Sequence, residues 1–388
     1  MRFISIAFFA ASMLICSCST TTTPEDPRAQ AELAFVETYA KVVTATYADA
    51  LQGAKALHSA LATLVANPTE INHATAKAAY IDARYPYEQS EAFRFYGGPI
   101  DGLDGPEGLM NGWPMDEAFV DYIASNPDAG IINRPDLYPT ITKDLIESLN
   151  ESGGETNISC GFHAIEFLLW GQDFSLATPG QRSFSDYIPS ATGPGRNAAR
   201  RGAYLLACAD LLVQHLTDMV TAWDIARNGY GKEFLATPSA SAKLAYTGVV
   251  RFALGELAGE RMRVALLSTD QEDEHSCFSD QTHEDIVQGN QSIINVTSGF
   301  YMQSSGVLVS GRGLIDIVRV VDARVSDTID VRMTAARVAT MAIQAPFDNE
   351  LKTSAGRERV NAAINAINAL GGALQDGALK LGYVITLE

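Results

Sequence analysis

Apolar residues recur every three or four positions along most of the chain, which is the period of an amphipathic α-helix. The longest such segment, residues 26–66, predicts one very long helix or two helices with a bend near Gly53. Further helices are predicted at about 69–81, 115–125, 139–150, 158–170, 197–223, 239–267, 280–297, 311–343 and 355–369, with the last broken at Gly371 and Gly372. Strand-like alternation is nearly absent. The pattern therefore predicts an all-α protein.

Two loops rich in Gly and Pro interrupt this helical pattern. The first, YGGPIDGLDGPEGLMNGWP at 96–114, predicts a long irregular connection. The second, at about 175–196, is the strongest internal boundary signal. About 370 residues follow the N-terminal leader, which is enough for two hydrophobic cores. We therefore predict two helical bundles of the four-helix type, at residues 30–195 and 196–388.

The first 29 residues have the pattern of an export and anchoring segment. Met1 and Arg2 precede an apolar run at 3–15, which predicts a secretory signal peptide at residues 1–17. The segment LICSCST, residues 14–20, resembles the lipobox of bacterial lipoproteins. It predicts a lipid on Cys18 and a polar tether at 18–29, so that only the lipid anchor contacts a membrane. An ordinary cleaved signal peptide is the alternative. We expect a periplasm-facing lipoprotein of the bacterial cell envelope, and Ser19 favours the outer membrane.

Charge and cysteine content narrow the classes of partner. The net charge of −18 argues against nucleic acid, because phosphate binding needs a basic surface. An acidic surface is compatible with capture of a cation. If Cys16 leaves with the signal peptide and Cys18 carries lipid, Cys160, Cys208 and Cys277 remain. An odd count in an oxidising periplasm predicts one disulfide and one free thiol, and the sequence leaves the pairing open.

The segment CGFHAIEFLLWGQD, residues 160–173, carries the most informative chemistry. It predicts a helix that is apolar nearly all the way round, ends at Gly171 and is therefore buried. His163 and Glu166 lie three positions apart, so both side chains project from the same face. Burying two ionisable groups is costly without partners. The pair therefore forms a mutual hydrogen bond, binds a metal or belongs to a reactive site.

Gly161, His163 and Glu166 have the G-x-H-x-x-E spacing of the imelysin family, and the chain resembles that family over about residues 30–385. The resemblance extends to YPYEQSEAFRFYGGPID at 85–101, HSCFSDQTHEDI at 275–286 and APFDNEL at 345–351. It implies two α-helical bundle domains, export with lipid anchoring, and a role in iron regulation and uptake. It also implies a metal site at His163 and Glu166 in a cleft between the bundles. The founding description of the family is as a metallopeptidase.

Further metal ligands must come from other segments. Carboxylate and imidazole ligands suit iron, and zinc is the alternative. The sequence offers as candidates Glu88, Glu91, Asp280, His283 and Asp285. Several residues of these segments have structural explanations, with Asp280 and Thr282 as helix-capping residues, Glu91 paired with Arg94, and Asp101 in a turn.

Three functions are consistent with these residues. The first is an iron-acquisition protein that binds iron or an iron-bearing ligand at His163 and Glu166. The second is a metallopeptidase that uses the same pair, although the chain has no H-E-x-x-H and its catalytic residues are unknown. The third is an interaction module that docks an envelope protein partner, with a purely structural pair. We predict the first function.

Overall fold

The computed structural model describes residues 26–387, and the predicted signal peptide and lipidated Cys18 lie outside the described residues. Helices dominate, which confirms the all-α prediction. The helices as far as residue 222 are α1 Pro27–Ala66, α2 Glu70–Glu88, α3 Glu107–Asn111, α4 Glu117–Val120, α5 Lys143–Leu149, α6 Gly161–Trp170 and α7 Ala198–Ala222. Those that follow are α8 Tyr230–Ala236, α9 Pro238–Arg251, α10 Ala265–Ser268, α11 Thr282–Ser298, α12 Leu314–Val321, α13 Ala323–Thr340, α14 Phe347–Lys352 and α15 Ser354–Lys380.

Helix α1 is one continuous helix of 40 residues, as the first of the two options predicted. Asp26 caps it by accepting a hydrogen bond from the Arg28 backbone N–H at 3.0 Å, and Pro27 occupies its first position. The helix packs against α2 and α7, which precede residue 223, and against α9 and α12, which follow it. A single helix therefore contributes to the core on both sides of the predicted boundary. The division at residue 195 remains a prediction.

Several predicted boundaries were wrong. Helix α15 continues through Gly371. The glycine is explained by packing, because a Cβ at this position would lie 2.5 Å from Leu254 Cδ2. The predicted helix at 311–343 is divided into α12 and α13, because the Asp322 side chain caps the backbone N–H groups of Arg324 and Val325. A short antiparallel hairpin, β1 Phe300–Met302 and β2 Leu308–Ser310, precedes them.

The predicted helix at 239–267 contains a change of helix type. A π-helical stretch, Phe252–Val264, joins α9 to α10. Such stretches are rare and occur frequently at functional sites. This one carries Arg261, which is buried and points toward α2.

A buried ion-pair cluster holds α7 to the loops around α4 and α6. Asp121 is fully buried and accepts hydrogen bonds from Arg182 Nη1 at 2.6 Å and from Arg201 Nε at 2.7 Å and Nη2 at 2.9 Å. Burial by itself would raise the pKa of Asp121, but the two guanidinium groups lower it below its usual range. The carboxylate is therefore ionised and pairs with both buried arginines, and Arg182 also contacts Asp186 Oδ2 at 3.4 Å.

The segment Pro194–Ala222, which includes α7, is long and apolar enough by composition to cross a membrane. Half of its most apolar window is buried inside the protein, where α7 packs against α1, α5 and α6. The same composition is found in helices that lie in a protein core. We therefore describe α7 as a core helix.

The prediction of a disulfide was wrong for the described residues, where Cys160, Cys208 and Cys277 are all free and buried. Cys160 Sγ lies 3.3 Å from the Leu109 carbonyl oxygen, and Cys208 Sγ lies 3.6 Å from that of Ser159. Burial raises the pKa of Cys160 to about 12, so its thiol stays protonated. All three cysteine side chains are therefore part of the hydrophobic core.

Candidate metal site

The first residue of α6 is held against the end of α3. Gly161 has φ +86°, and a Cβ added to it would lie 2.5 Å from the Met110 carbonyl oxygen. Only glycine accepts both this backbone conformation and this close approach. The glycine of the motif therefore fixes where α6 begins, and with it the position of His163 two residues later.

We expect Gly161→Ala to lower the free energy of unfolding by more than the roughly 1–3 kcal/mol that the left-handed conformation alone costs a residue with a Cβ. The additional loss comes from overlap with the α3 backbone. Gly306→Ala is the matched control, because Gly306 has φ +83° and open space around it. Urea denaturation of the two variants measures the difference. Equal losses would show that the contact between α6 and α3 is not tight.

His163 and Glu166 are fully buried and in direct contact, as the spacing predicted. His163 Nδ1 lies 3.0 Å from Glu166 Oε2. The other carboxylate oxygen, Oε1, accepts hydrogen bonds from the Ser279 backbone N–H at 2.9 Å and from its hydroxyl at 2.5 Å. Burial raises the pKa of Glu166 to about 7, although Arg84 and Ser279 counteract this, and burial lowers the pKa of His163 well below its usual value. His163 is therefore a neutral imidazole near neutral pH.

The second ring nitrogen of His163 has no hydrogen-bond partner within residues 26–387. His163 Nε2 is buried and receives no contact from a donor or acceptor among the described residues. When Nδ1–H donates to an ionised Glu166, Nε2 carries a free lone pair. Metal-binding histidines commonly have this arrangement, with the ring nitrogen away from the metal bonded to a carboxylate. His163 therefore fits the role of a metal ligand.

A second histidine packs against the first. The rings of His163 and His275 meet edge to face with their centroids 4.9 Å apart, and Trp113 covers His163 at 4.8 Å. His275 Nδ1 lies 2.8 Å from Asp285 Oδ2, so this ring also has a carboxylate at Nδ1. Two buried imidazoles, each oriented by a carboxylate, thus stand side by side.

Arg84 of α2 is the centre of the surrounding ion pairs. Its Nη2 atom lies 2.8 Å from Asp285 Oδ2, 3.1 Å from Glu88 Oε1 and 3.2 Å from His275 Nδ1. Oxygen and nitrogen atoms of Glu88, His275 and Asp285 lie within 4.8 Å of one another, which is a spacing suited to a metal ion. However, the guanidinium already occupies the position of a cation. Glu88, His275 and Asp285 together therefore do not enclose a metal ion while Arg84 remains in place.

Arg84 and its partners form what we call the central ion-pair network: Arg84, Glu88, Glu91, Arg94, Arg261 and Asp285. Arg261 contacts Glu88 Oε2 at 2.9 Å and also pairs with Glu91. Arg94 donates to Glu91 at 2.6 Å, which is the pairing that the sequence suggested. Of the predicted ligand candidates, Glu88 and Asp285 thus lie near His275, and Glu88, Glu91 and Asp285 are each paired with an arginine.

Three other predicted residues lie apart from His163. Asp101 accepts hydrogen bonds from the backbone N–H groups of Phe95 and Gly98, so it stabilises a turn. His283 lies near the start of α11, where its Nδ1 contacts the Asp280 carbonyl oxygen at 3.1 Å. The capping prediction was wrong, because α11 begins at Thr282 without a side-chain cap. Asp280 instead joins a separate group of acidic residues.

An acidic cleft of about 640 Å³ reaches this region from the surface. His275, Trp113 and Asn111 lie at its wall, and its two arginines, Arg94 and Arg261, belong to the central ion-pair network. The remaining charged lining residues are six carboxylates: Glu107, Glu151, Glu155, Glu256, Glu260 and Asp273. A cleft with this surplus of negative charge attracts cations and repels anions.

The sequence did not single out Arg84, His275, Arg261 or Ser279 as site residues. Signals for two of them were present. Arg84 precedes Glu88 by four positions and therefore lies on the same helix face, and His275 begins a segment of the family resemblance. Nothing in the sequence indicates that Ser279 reaches Glu166 across 113 positions.

The fold and the site together define an all-α protein with a buried histidine and glutamate pair beside an acidic cleft. The imelysin family model matches residues 43–374, so the chain belongs to the imelysin family. It is 26% identical to iron-regulated protein A of Synechococcus elongatus over 351 residues, which cover 88% of this chain and 84% of that protein. Family and relative support an iron-related, imelysin-like function.

Two solved structures share the fold. An iron-regulated protein A precursor from Parabacteroides distasonis superposes with a TM-score of 0.69 at 18% identity, covering 94% of this chain and 97% of that one. An imelysin-like protein from Psychrobacter arcticum superposes with a TM-score of 0.64 at 12% identity, covering 93% and 98%. At these identities the likeness establishes the fold alone.

Proposed function

We propose that this protein binds iron for acquisition at the bacterial cell envelope, to which a lipid on Cys18 attaches it. The proposal rests on the buried Nε2 atom of His163. This atom has no hydrogen-bond partner among the described residues, while the other ring nitrogen, Nδ1, contacts Glu166. The relative's description as an iron-regulated protein identifies iron as the metal to test first. Iron is here the cargo, and it enters as a cation through the acidic cleft.

His163 and His275 are the residues that hold the ion. Imidazole nitrogen suits Fe(II) when a carboxylate holds the opposite ring nitrogen, as Glu166 and Asp285 do here, and zinc is the main competing metal. The negative charge of the cleft favours a bare cation over an anionic chelate. Arg84 helps to lower the pKa of Asp285 and so keeps it ionised beside the histidines, whereas burial raises the pKa of Glu88 to about 8.

Anaerobic titration calorimetry of the metal-stripped protein with Fe(II), and separately with Zn(II), tests this function. We expect one Fe(II) per chain in the wild type and no measurable binding in His163→Ala. Glu166→Gln leaves the ligand nitrogen but weakens its orientation, so affinity falls by about 10- to 100-fold. His58→Ala is the control, because His58 is partly exposed and pairs with Asp210 at 3.0 Å.

Far-UV circular dichroism establishes that each variant is folded. A folded His163→Ala protein with wild-type affinity for Fe(II) would falsify the proposed site. Zinc-dependent cleavage of an unfolded protein substrate that is lost with His163→Ala would instead favour the metallopeptidase function. Absence of metal binding by a folded wild type would favour docking of an envelope partner.

A further inference from the structure

A second group of buried acidic residues lies beside the loop that carries Ser279. Oxygen atoms of Asp173, Asp280 and Asp348 lie within 4.8 Å of one another, and Glu274 is within hydrogen-bonding reach of Asp348. All four residues are between 1% and 8% exposed. They come from the loop after α6, the loop before α11, and α14. We call these four residues the carboxylate cluster.

Several oxygen atoms of the carboxylate cluster have no donor. The oxygen atoms Asp173 Oδ2, Glu274 Oε1 and Asp348 Oδ2 are buried and have no hydrogen-bond partner among residues 26–387. Asp173 Oδ1 accepts from the Ser175 backbone N–H at 2.9 Å, and the Thr282 side chain is within hydrogen-bonding reach of Glu274. Buried carboxylates are normally paired with a basic group or bound to a metal. In the described part of the chain these four form no ion pair with Arg, Lys or His.

The carboxylate cluster differs from the central ion-pair network in its counter-ions. There the three potential ligands Glu88, His275 and Asp285 surround a guanidinium nitrogen of Arg84. In the carboxylate cluster the acidic oxygens have a comparable spacing, and none of them forms an ion pair with a basic side chain of the described residues. Burial and repulsion from neighbouring carboxylates raise the pKa of Asp280 to about 8 and that of Asp173 to about 6. The described residues thus supply no cation that would stabilise the ionised form of these carboxylates.

We propose that Asp173, Glu274, Asp280 and Asp348 bind a hard divalent cation of the Ca²⁺ class. The ligand set consists of oxygen atoms alone, which suits Ca²⁺, Mg²⁺ and Mn²⁺ and disfavours metals that prefer nitrogen or sulfur. Ca²⁺ fits best, because it tolerates irregular arrangements of several carboxylates, whereas Mg²⁺ demands near-octahedral geometry and retains water. This site is separate from the iron site proposed above, because it contains neither His163 nor His275.

A groove reaches Asp280 of the carboxylate cluster from the surface. It has a volume of about 550 Å³, and besides Asp280 it is lined by Ser279, Trp170 and Pro346 and by the basic residues Lys77 and His283. Trp170 lies at the wall together with Asp280, so it can transfer excitation energy to a lanthanide bound nearby. Tb³⁺, which has the same preference for oxygen ligands as Ca²⁺, is therefore a suitable probe.

Calcium titration of the metal-stripped protein, with Tb³⁺ luminescence excited through tryptophan, tests the site. We expect one Ca²⁺ per chain with a dissociation constant on the order of micromolar, and Tb³⁺ luminescence that Ca²⁺ suppresses by competition. Asp348→Asn weakens binding by at least ~10-fold, because it removes one negative ligand. Asp376→Asn, a change at an exposed residue, leaves the affinity as in the wild type. His163→Ala also retains calcium binding, which separates this site from the iron site.

Melting temperatures give a second signature. Without Ca²⁺, Asp348→Asn melts above the wild type because a repulsive charge is gone, and with Ca²⁺ the order reverses. If Asp348→Asn does not fold, Asp173→Asn replaces it, since Asp173 lies in a loop. The proposal is wrong if the folded wild type does not bind Ca²⁺, if Fe(II) or Zn(II) binds there in its place, or if the aspartate variants keep wild-type affinity.

Discussion

Replacing Arg84 with methionine is expected to lower the free energy of unfolding by about 3–5 kcal/mol, because it leaves the buried carboxylate of Asp285 without its arginine. Arg84 is 1% exposed and donates to both oxygens of Asp285, to Asn111 and toward Glu88. Methionine has a similar length and preserves the packing, so the loss reports mainly on the charge. Chemical denaturation followed by circular dichroism measures the change.

Two further variants define the origin of this loss. Arg84→Lys keeps a positive charge but cannot donate in a planar fork to several partners, so it should lie between the wild type and Arg84→Met. Arg319→Met is the surface control, because Arg319 is about half exposed and its pair with Asp327 contributes little in water. If Arg84→Met were no less stable than Arg319→Met, the central ion-pair network would not contribute to stability.

Asp121→Asn is expected to have a similarly large effect, a loss of about 3–5 kcal/mol, because Arg201 loses its carboxylate partner and Arg182 keeps only the longer contact of 3.4 Å with Asp186. Asparagine preserves the shape of the side chain but removes the negative charge that both arginines contact. Denaturant titration at several pH values measures the loss. Asp136→Asn is the control, because Asp136 and Arg134 form an exposed pair that should not contribute measurably.

The difference in stability between the wild type and Asp121→Asn is expected to depend on pH. The folded state lowers the pKa of Asp121 below that of an unfolded aspartate, so its stabilising contribution is present above the unfolded pKa of about 3.9. The contribution is lost as the pH falls through the folded pKa. The deficit of Asp121→Asn should therefore be full near neutral pH and shrink on strong acidification. A deficit that grows with acidification would contradict ionisation of Asp121.

The sequence predicted those parts of the structure that depend on local periodicity. Helix α6 is buried on all sides because its sequence is apolar nearly all the way round, and the spacing of His163 and Glu166 placed both groups on one face. The close approach of Leu254 that requires Gly371 has no local signature, so the predicted break in α15 was wrong.

The local sequence pattern did not predict the residues that contact the motif, for the same reason. Ser279 and His275 reach α6 only after the chain has folded, and their distance along the sequence conceals the contact. Buried arginines are misleading in another way. Charged residues are mostly exposed, so Arg84 and Arg261 gave no sign that carboxylates from other segments enclose them.

The length of α1 affects how the protein unfolds. At a rise of about 1.5 Å per residue, its 40 residues extend roughly 60 Å as one rigid rod. Because α2, α7, α9 and α12 all pack on this rod, neither half of the chain can separate from it without exposing apolar side chains that the other half also covers. We therefore expect unfolding to be cooperative across the predicted boundary, and we expect a ligand to enter the cleft through movement of side chains and loops.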